Sequence, residues 1–361
     1  MSENRKDKYV LLPGQTPEGE YILSILIKRT YKILPNSCCV RADKDQKIIA
    51  GDAHYDTPMN SSVRFEADFV PYKIATDVVL NGKAYAPNGK AVETLKASLI
   101  IDKFRKDIQV FGNRRCIYQK LRDPIFTRPE PFTTMDIRYE LAYGGVDVYS
   151  NPDVAYAYPR NHLGRGFVIG TEKNDNLLLP NIEDPEYFLT PAMLSVNDIR
   201  NWEKQPMPQG FGWFCKFWLP RATFAGVMPA DRATEQEFRK AYSILLTPEQ
   251  REKYEKEKLP DMDFRFFNGA SQGLALPFLS GNEVIRLIHL TPEKDVSFQL
   301  PGEVPNIRAD IGMGLQYPPV VLHTVMLRME EQEADLVWRG AILYPGPDWL
   351  PKMTKMEVTI Q

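Results

Sequence analysis

Tyr21-Ile22-Leu23-Ser24-Ile25-Leu26-Ile27-Lys28-Arg29-Thr30-Tyr31-Lys32-Ile33 is apolar at most odd positions, and its even positions turn polar towards the end. A period of two marks a strand with one face on a core, so a half-buried strand is expected. The pattern recurs outward from here. In Met135-Asp136-Ile137-Arg138-Tyr139-Glu140-Leu141-Ala142-Tyr143 the odd residues are apolar or aromatic, Asp136, Arg138 and Glu140 face the other way, and Gly144-Gly145 ends the run. Residues 77–85 form a further candidate strand. It stops at Ala86-Pro87-Asn88-Gly89, where Pro presets φ and Asn-Gly supplies positive φ. Residues 92–101 and 106–111 read as a hairpin across 102–105. Residues 284–290, 296–300, 320–327 and 335–343 are the remaining candidates.

Short strands divided by turn residues predict a mainly β chain, an antiparallel sandwich or barrel-like set of sheets with irregular Gly/Pro/aromatic loops. Strands do not alternate with amphipathic helices, so a parallel nucleotide-binding sheet is not expected. One segment differs. Thr234 with Glu237 makes a capping box ahead of Phe238, Ala241, Tyr242 and Leu245 at helical spacing. Thr247, Pro248 and Gln250 then open a second, highly charged helix. A helical insert over 231–258 follows from this. The chain divides into an N-terminal β-rich half, 1–150, and a C-terminal β-rich half, 151–361, that carries the insert. The boundary is weak, and one continuous domain is the alternative.

Bulk composition excludes several function classes. Of the 361 residues, 45 are basic and 47 acidic, which leaves no basic footprint for nucleic acid. Residues 1–9 are polar and charged, without the apolar stretch of a secretory leader. The longest apolar runs, such as Ile22 to Ile27, fall far short of a membrane span. A cytoplasmic protein that engages neither nucleic acid nor membrane is expected. Cys38, Cys39, Cys116 and Cys215 form no Cys-x-x-Cys pair and read as free thiols in a reducing compartment.

Catalytic signatures are missing too. The sequence has no Gly-x-Ser-x-Gly elbow, no dinucleotide or phosphate loop, and no His-Glu-x-x-His pair. No catalytic residue, cofactor or metal is expected. Glu183 with Asp184, or Asp261 with Asp263, would suit glycoside cleavage only if two carboxylates met in space. A carbohydrate-active hydrolase or a carbohydrate-binding β-sandwich is therefore the alternative function. What does stand out is residues 158–226. There Tyr158-Pro159-Arg160-Asn161-His162-Leu163-Gly164-Arg165-Gly166-Phe167 is followed by Leu179-Pro180-Asn181-Ile182-Glu183-Asp184-Pro185, Gly210-Phe211-Gly212-Trp213 and Trp218-Leu219-Pro220-Arg221. Gly and Pro fix unusual backbone shapes, and aromatics supply contact area. Arg165, Phe167, Trp213, Trp218 and Arg221 are the candidate partner-binding residues, since aromatics and Arg dominate protein interfaces. Arg128, Arg165, Arg221 and Arg339 each lie beside Gly, Pro or Trp. Each is either an anchor for a partner or a brace between loops.

The order of these blocks resembles a bacterial domain-of-unknown-function family, twenty-one sixty-nine, encoded beside type VI secretion effectors. The resemblance covers about residues 20 to 342. It is carried by Asp68-Phe69-Val70-Pro71-Tyr72-Lys73, Gly82-Lys83-Ala84-Tyr85-Ala86-Pro87, Val110-Phe111-Gly112-Asn113-Arg114 and Arg138-Tyr139-Glu140-Leu141-Ala142-Tyr143-Gly144-Gly145. The central blocks follow, and then Asp263-Phe264-Arg265-Phe266-Phe267-Asn268-Gly269-Ala270, Leu279-Ser280-Gly281-Asn282-Glu283 and Val337-Trp338-Arg339. His162 departs from the family's usual Pro, and the 231–258 insert replaces a shorter segment. The resemblance implies a non-enzymatic adaptor or chaperone. Its expected partners are a secreted effector protein and the secretion spike or its tip.

Overall fold

Tyr21–Lys32 forms a 12-residue strand, and a sheet is built around it. The computed structural model describes residues 8–119, 122–148, 155–169, 176–195, 204–226, 262–352 and 357–360. The expected helical insert, 231–258, lies outside the described residues. The principal strands are β1 (Tyr9–Gln15), β2 (Tyr21–Lys32), β3 (Thr76–Asn81), β4 (Thr94–Ile101), β5 (Phe104–Phe111) and β6 (Ile182–Glu183). They continue with β7 (Ala275–Leu276), β8 (Val284–Ile288), β9 (Asp295–Gln299), β10 (Val320–Arg328) and β11 (Glu333–Leu343). One sheet runs β1-β2-β11-β10-β3-β7, with Val40–Arg41 paired beside β2; the other runs β6-β5-β4-β8-β9. Within these two sheets all pairings are antiparallel except β3 with β10.

The chain is mainly β, as its alternation predicts. A single hydrophobic cluster joins the facing sides of the two sheets. Leu23, Ile25 and Ile27 of β2, Leu336 and Trp338 of β11, and Leu322 and Val325 of β10 meet Leu99 of β4, Ile108 of β5, Leu287 of β8 and Phe298 of β9. Both strand orders are open, so the arrangement is a sandwich and not a closed barrel. The first sheet draws on both halves of the chain, since β2 pairs with β11 over eleven residues.

Two expectations need correction. β2 is not half-buried: ten of its twelve residues are buried, including Lys28, Arg29 and Thr30. Residues 45–73 cover its second face. There Lys28 Nζ bonds Asp68 at 2.7 Å, Ser24 Oγ donates to the Pro71 carbonyl at 2.5 Å, and the Thr30 N–H donates to Asp45 at 3.0 Å. Charged groups tolerate such burial when they are paired. The second correction concerns residues 135–143. Instead of one strand there is Thr134–Asp136, a 3₁₀ turn at Tyr139–Leu141, and a two-residue strand at Tyr143–Gly144. The alternation there comes from a folded-back chain whose Ile137 and Tyr139 enter the main cluster while Tyr143 enters a second. The loop at 86–89 has the expected backbone, with Asn88 at φ 55° and Gly89 at φ 66°.

Candidate functional site

The central loops are held by buried side-chain amides. Asn161 is fully buried, and its Nδ2 donates to the carbonyls of Tyr139 (2.8 Å) and Tyr143 (3.1 Å) while its Oδ1 accepts from the Leu163 N–H. Gly144 passes so close, at φ 146°, that a Cβ there would lie 2.0 Å from the Asn161 carbonyl oxygen. Arg165 is half-buried. Its Nε donates to the Glu140 carbonyl at 3.1 Å and its Nη1 to Asn181 Oδ1 at 2.9 Å. Phe167 packs inside the second cluster with Tyr143, Tyr158, Leu179 and Leu219.

Trp213, Trp218 and Arg221 are internal as well. Trp213 packs on Val63, Val79 and Met326, with the Lys73 ammonium 5.3 Å from its ring centre. Trp218 stands edge-on to Tyr139 and Phe214 at 5.1 and 5.3 Å. Its indole N–H donates to His162 Nδ1 at 3.1 Å, so His162 Nε2 carries the proton that it gives to the Met59 carbonyl. That ring is neutral, and burial lowers its pKa. Arg221 forks onto Glu66 and also donates to the carbonyls of Phe214 and Phe266. Beside it, buried Asp77 accepts from Lys73 Nζ (2.6 Å), Asn268 Nδ2 (3.1 Å) and the N–H groups of Gly269 (3.1 Å) and Ala270 (3.2 Å). The Asn268-Gly269-Ala270 run is thus a cradle for one carboxylate. In the structure, Arg165 and Arg221 are braces, and the three aromatics are packing.

Trp218 and Arg221 belong to a wall between two openings, whereas Arg165, Phe167 and Trp213 line neither. On one side a small apolar cavity of about 70 Å³ is lined by His54, Met59, His162, Leu163, Phe217 and Trp218. On the other a larger cleft of about 790 Å³ is lined by Arg160, Tyr187, Lys204, Gln205, Phe224 and Gln272 among others. Residues 214–221 contribute to both. Tyr187 and Phe217 are about half exposed, at 47% and 54%, so aromatic surface is offered at the rims. The sequence singled out the wall and missed the rim. Arg160, Tyr187, Lys204 and Phe217 all lie within residues 158–226 but were not among the candidates, and Gln272 lies outside that region.

The carboxylates suggested by the sequence do not converge here. Glu183 is fixed by Arg114 and the Leu189 N–H, and Asp263 pairs with Arg265. Asp184 is the one carboxylate among the residues lining the large cleft. Asp261 lies outside the described residues. Among the described residues no group of His, Cys, Asp and Glu is placed to hold a metal, and no helix is long and apolar enough to cross a membrane.

No curated protein and no solved structure matches the chain. A family profile does match, over residues 18–339, and its description reads "uncharacterized protein conserved in bacteria". That match spans most of both sheets, leaving out β1 and the end of β11, and takes in the Asn161 and Asp77 braces and the wall between the clefts; the chain belongs to this bacterial family, DUF2169.

Proposed function

We propose that the protein is a non-enzymatic adaptor that binds a secreted effector and helps load it onto a type VI secretion spike. The observation that carries this reading is the large cleft. Its volume of about 790 Å³ is within the range of ligand sites. Its lining combines aromatic rings (Tyr187, Phe224), cations (Arg160, Lys204) and side-chain amides (Gln205, Gln272), the chemistry that recognises a polypeptide. The braced wall supports the same reading, because a pre-ordered surface loses little entropy on binding. The type VI context and the identity of the cargo as an effector rest on the family resemblance alone.

Co-expression with the product of the adjacent effector gene, followed by size-exclusion chromatography, tests the proposal. Co-elution is expected for the natural chain. It is expected to be lost in a Tyr187→Ser, Phe224→Ser double variant that unfolds at the natural temperature. Separate elution of the natural chain and that product overturns the reading.

A further inference from the structure

Of Arg128, Arg165, Arg221 and Arg339, three have partners in the fold. Arg128 pairs with Glu93, Arg165 bonds Glu140 and Asn181, and Arg221 holds Glu66. Arg339 has none of these. It sits in β11 at 8% exposure, opposite Leu26 of β2, on the sheet face covered by residues 45–73. No carboxylate among the described residues lies within ion-pair reach of it, and its Nε is buried without a hydrogen-bond partner. The Tyr72 ring lies against it, with the guanidinium carbon 4.6 Å from the ring centre.

A second orphan lies on the neighbouring strand. The pairing of β10 with β11 slips between Leu322 and Thr324, so His323 is an extra residue, as in a bulge that re-aims a side chain. His323 is 1% exposed, and its Nε2 also lacks a partner. Its burial, and then the charges of Arg339 and Lys73, keep it neutral. The Lys73 charge is taken up by Asp77 at 2.6 Å. What remains is one uncompensated guanidinium beside an uncharged ring with an unused nitrogen.

An unpaired charge taken out of water is costly, and so is each unpaired buried polar atom. A monoanion at the guanidinium removes the charge deficit. The planar guanidinium matches a carboxylate fork. One net positive charge suits a carboxylate better than doubly charged phosphate. The flanks of Tyr72 are apolar and open, with Phe69 at 40% and Ile74 at 43% exposure, so a polypeptide can lie there. A strip of contacts also joins this point to the large cleft. Tyr72 meets Phe264 edge-on at 5.5 Å, and Arg265 lies 4.2 Å from the centre of the Phe224 ring, which lines the cleft.

We propose that Arg339, flanked by Tyr72 and His323, receives the carboxylate of an acidic residue on the protein partner. This rests on the adaptor reading and names the chemistry that the partner must present.

The test uses the full chain and acetate as probe, with inorganic phosphate for comparison. NMR signals of the Arg339 side chain and the His323 ring are followed. Acetate is expected to shift both saturably in the natural chain, with at least tenfold weaker binding in Arg339→Gln and unchanged binding in Arg128→Gln. Arg339→Lys, which keeps the charge without the fork, is expected to bind at an intermediate level and serves if Arg339→Gln unfolds. Phosphate binding more tightly than acetate, or acetate shifts that persist in Arg339→Gln, overturns the proposal. Partner capture is measured on the same variants. Capture unaltered by Arg339→Gln overturns the proposal even where acetate binds. Acetate binding by a natural chain that captures no partner supports the carboxylate site and overturns the adaptor reading instead.

Discussion

At the scale of single residues, the interior depends on buried ionic groups whose partners are close to complete. Glu66 and Arg221 are 10% and 6% exposed at their side chains, and Gly269 passes directly over them. A methyl group at Gly269 would fall 1.9 Å from Glu66 Oε2 and 2.6 Å from Arg221 Nη1. Gly269→Ala is therefore expected to open this pair and cost about 3 to 5 kcal/mol, the penalty for breaking a buried ion pair. Urea unfolding measures it, and an unchanged midpoint would mean that the pair can shift aside. His323 gives a pH prediction. Its folded pKa lies well below its ordinary value of 6.5, through burial and then the charges of Arg339 and Lys73. Below about pH 6.5 the unfolded chain takes up a proton that the folded chain refuses, so stability falls as pH falls, by up to about 1.4 kcal/mol per unit. His162, also depressed, contributes with the same sign. His323→Gln is expected to flatten the slope between pH 6.5 and 5, read from unfolding free energies at each pH.

Among elements, the strands that read clearly from sequence are β8 and β9, which alternate buried and exposed residues, and β10 and β11, which are mostly apolar runs buried on both faces. β8 to β11 were expected over 284–290, 296–300, 320–327 and 335–343, and they fall within two residues of those limits. The second face of β2 was not legible, because nothing local announces that residues 45–73 fold over it. The run 135–143 misled for the opposite reason, since its alternating apolar residues serve two different clusters. Loops are also tied to strands by groups that no periodicity reveals. Lys106, on β5, reaches Ser271 Oγ at 2.7 Å and the Gln272 carbonyl at 2.5 Å. Burial pushes its pKa down to about 7 from 10.5. Between those two values the unfolded chain holds a proton that the folded chain has released. Stability is thus expected to rise with pH through that window and to level off above it. From pH 7 to 9 the gain is about 2 to 3 kcal/mol relative to Lys106→Met, in which the rise disappears. Parallel stability curves for the two proteins would show that Lys106 keeps its proton when folded.

For the whole molecule, the division between wall and rim decides how stability and binding separate. The sequence could mark the wall, because Gly, Pro and aromatic residues cluster locally in residues 158–226. It did not mark the rim, because Arg160, Tyr187, Lys204 and Phe217 are scattered through that same region with no pattern linking them, and Gln272 joins them from a distant loop. The two classes should respond differently. Trp218→Ala removes a fully buried indole from a ring cluster with Tyr139 and Phe214, and a loss of about 3 to 5 kcal/mol is expected. Any loss of capture in that variant should track its unfolded fraction. Lys204→Ala alters an exposed cation at the large cleft, so stability should stay within about 0.5 kcal/mol. Its effect should fall on the rate of association and on the salt dependence of capture, where a charge at an interface rim acts. Calorimetry on both variants, with capture kinetics at low and high salt, separates the cases. If Lys204→Ala binds at the natural rate at every salt concentration while Trp218→Ala fails to bind though fully folded, the partner touches the buried tryptophan's neighbourhood after all. The large cleft would then have no part in recognition.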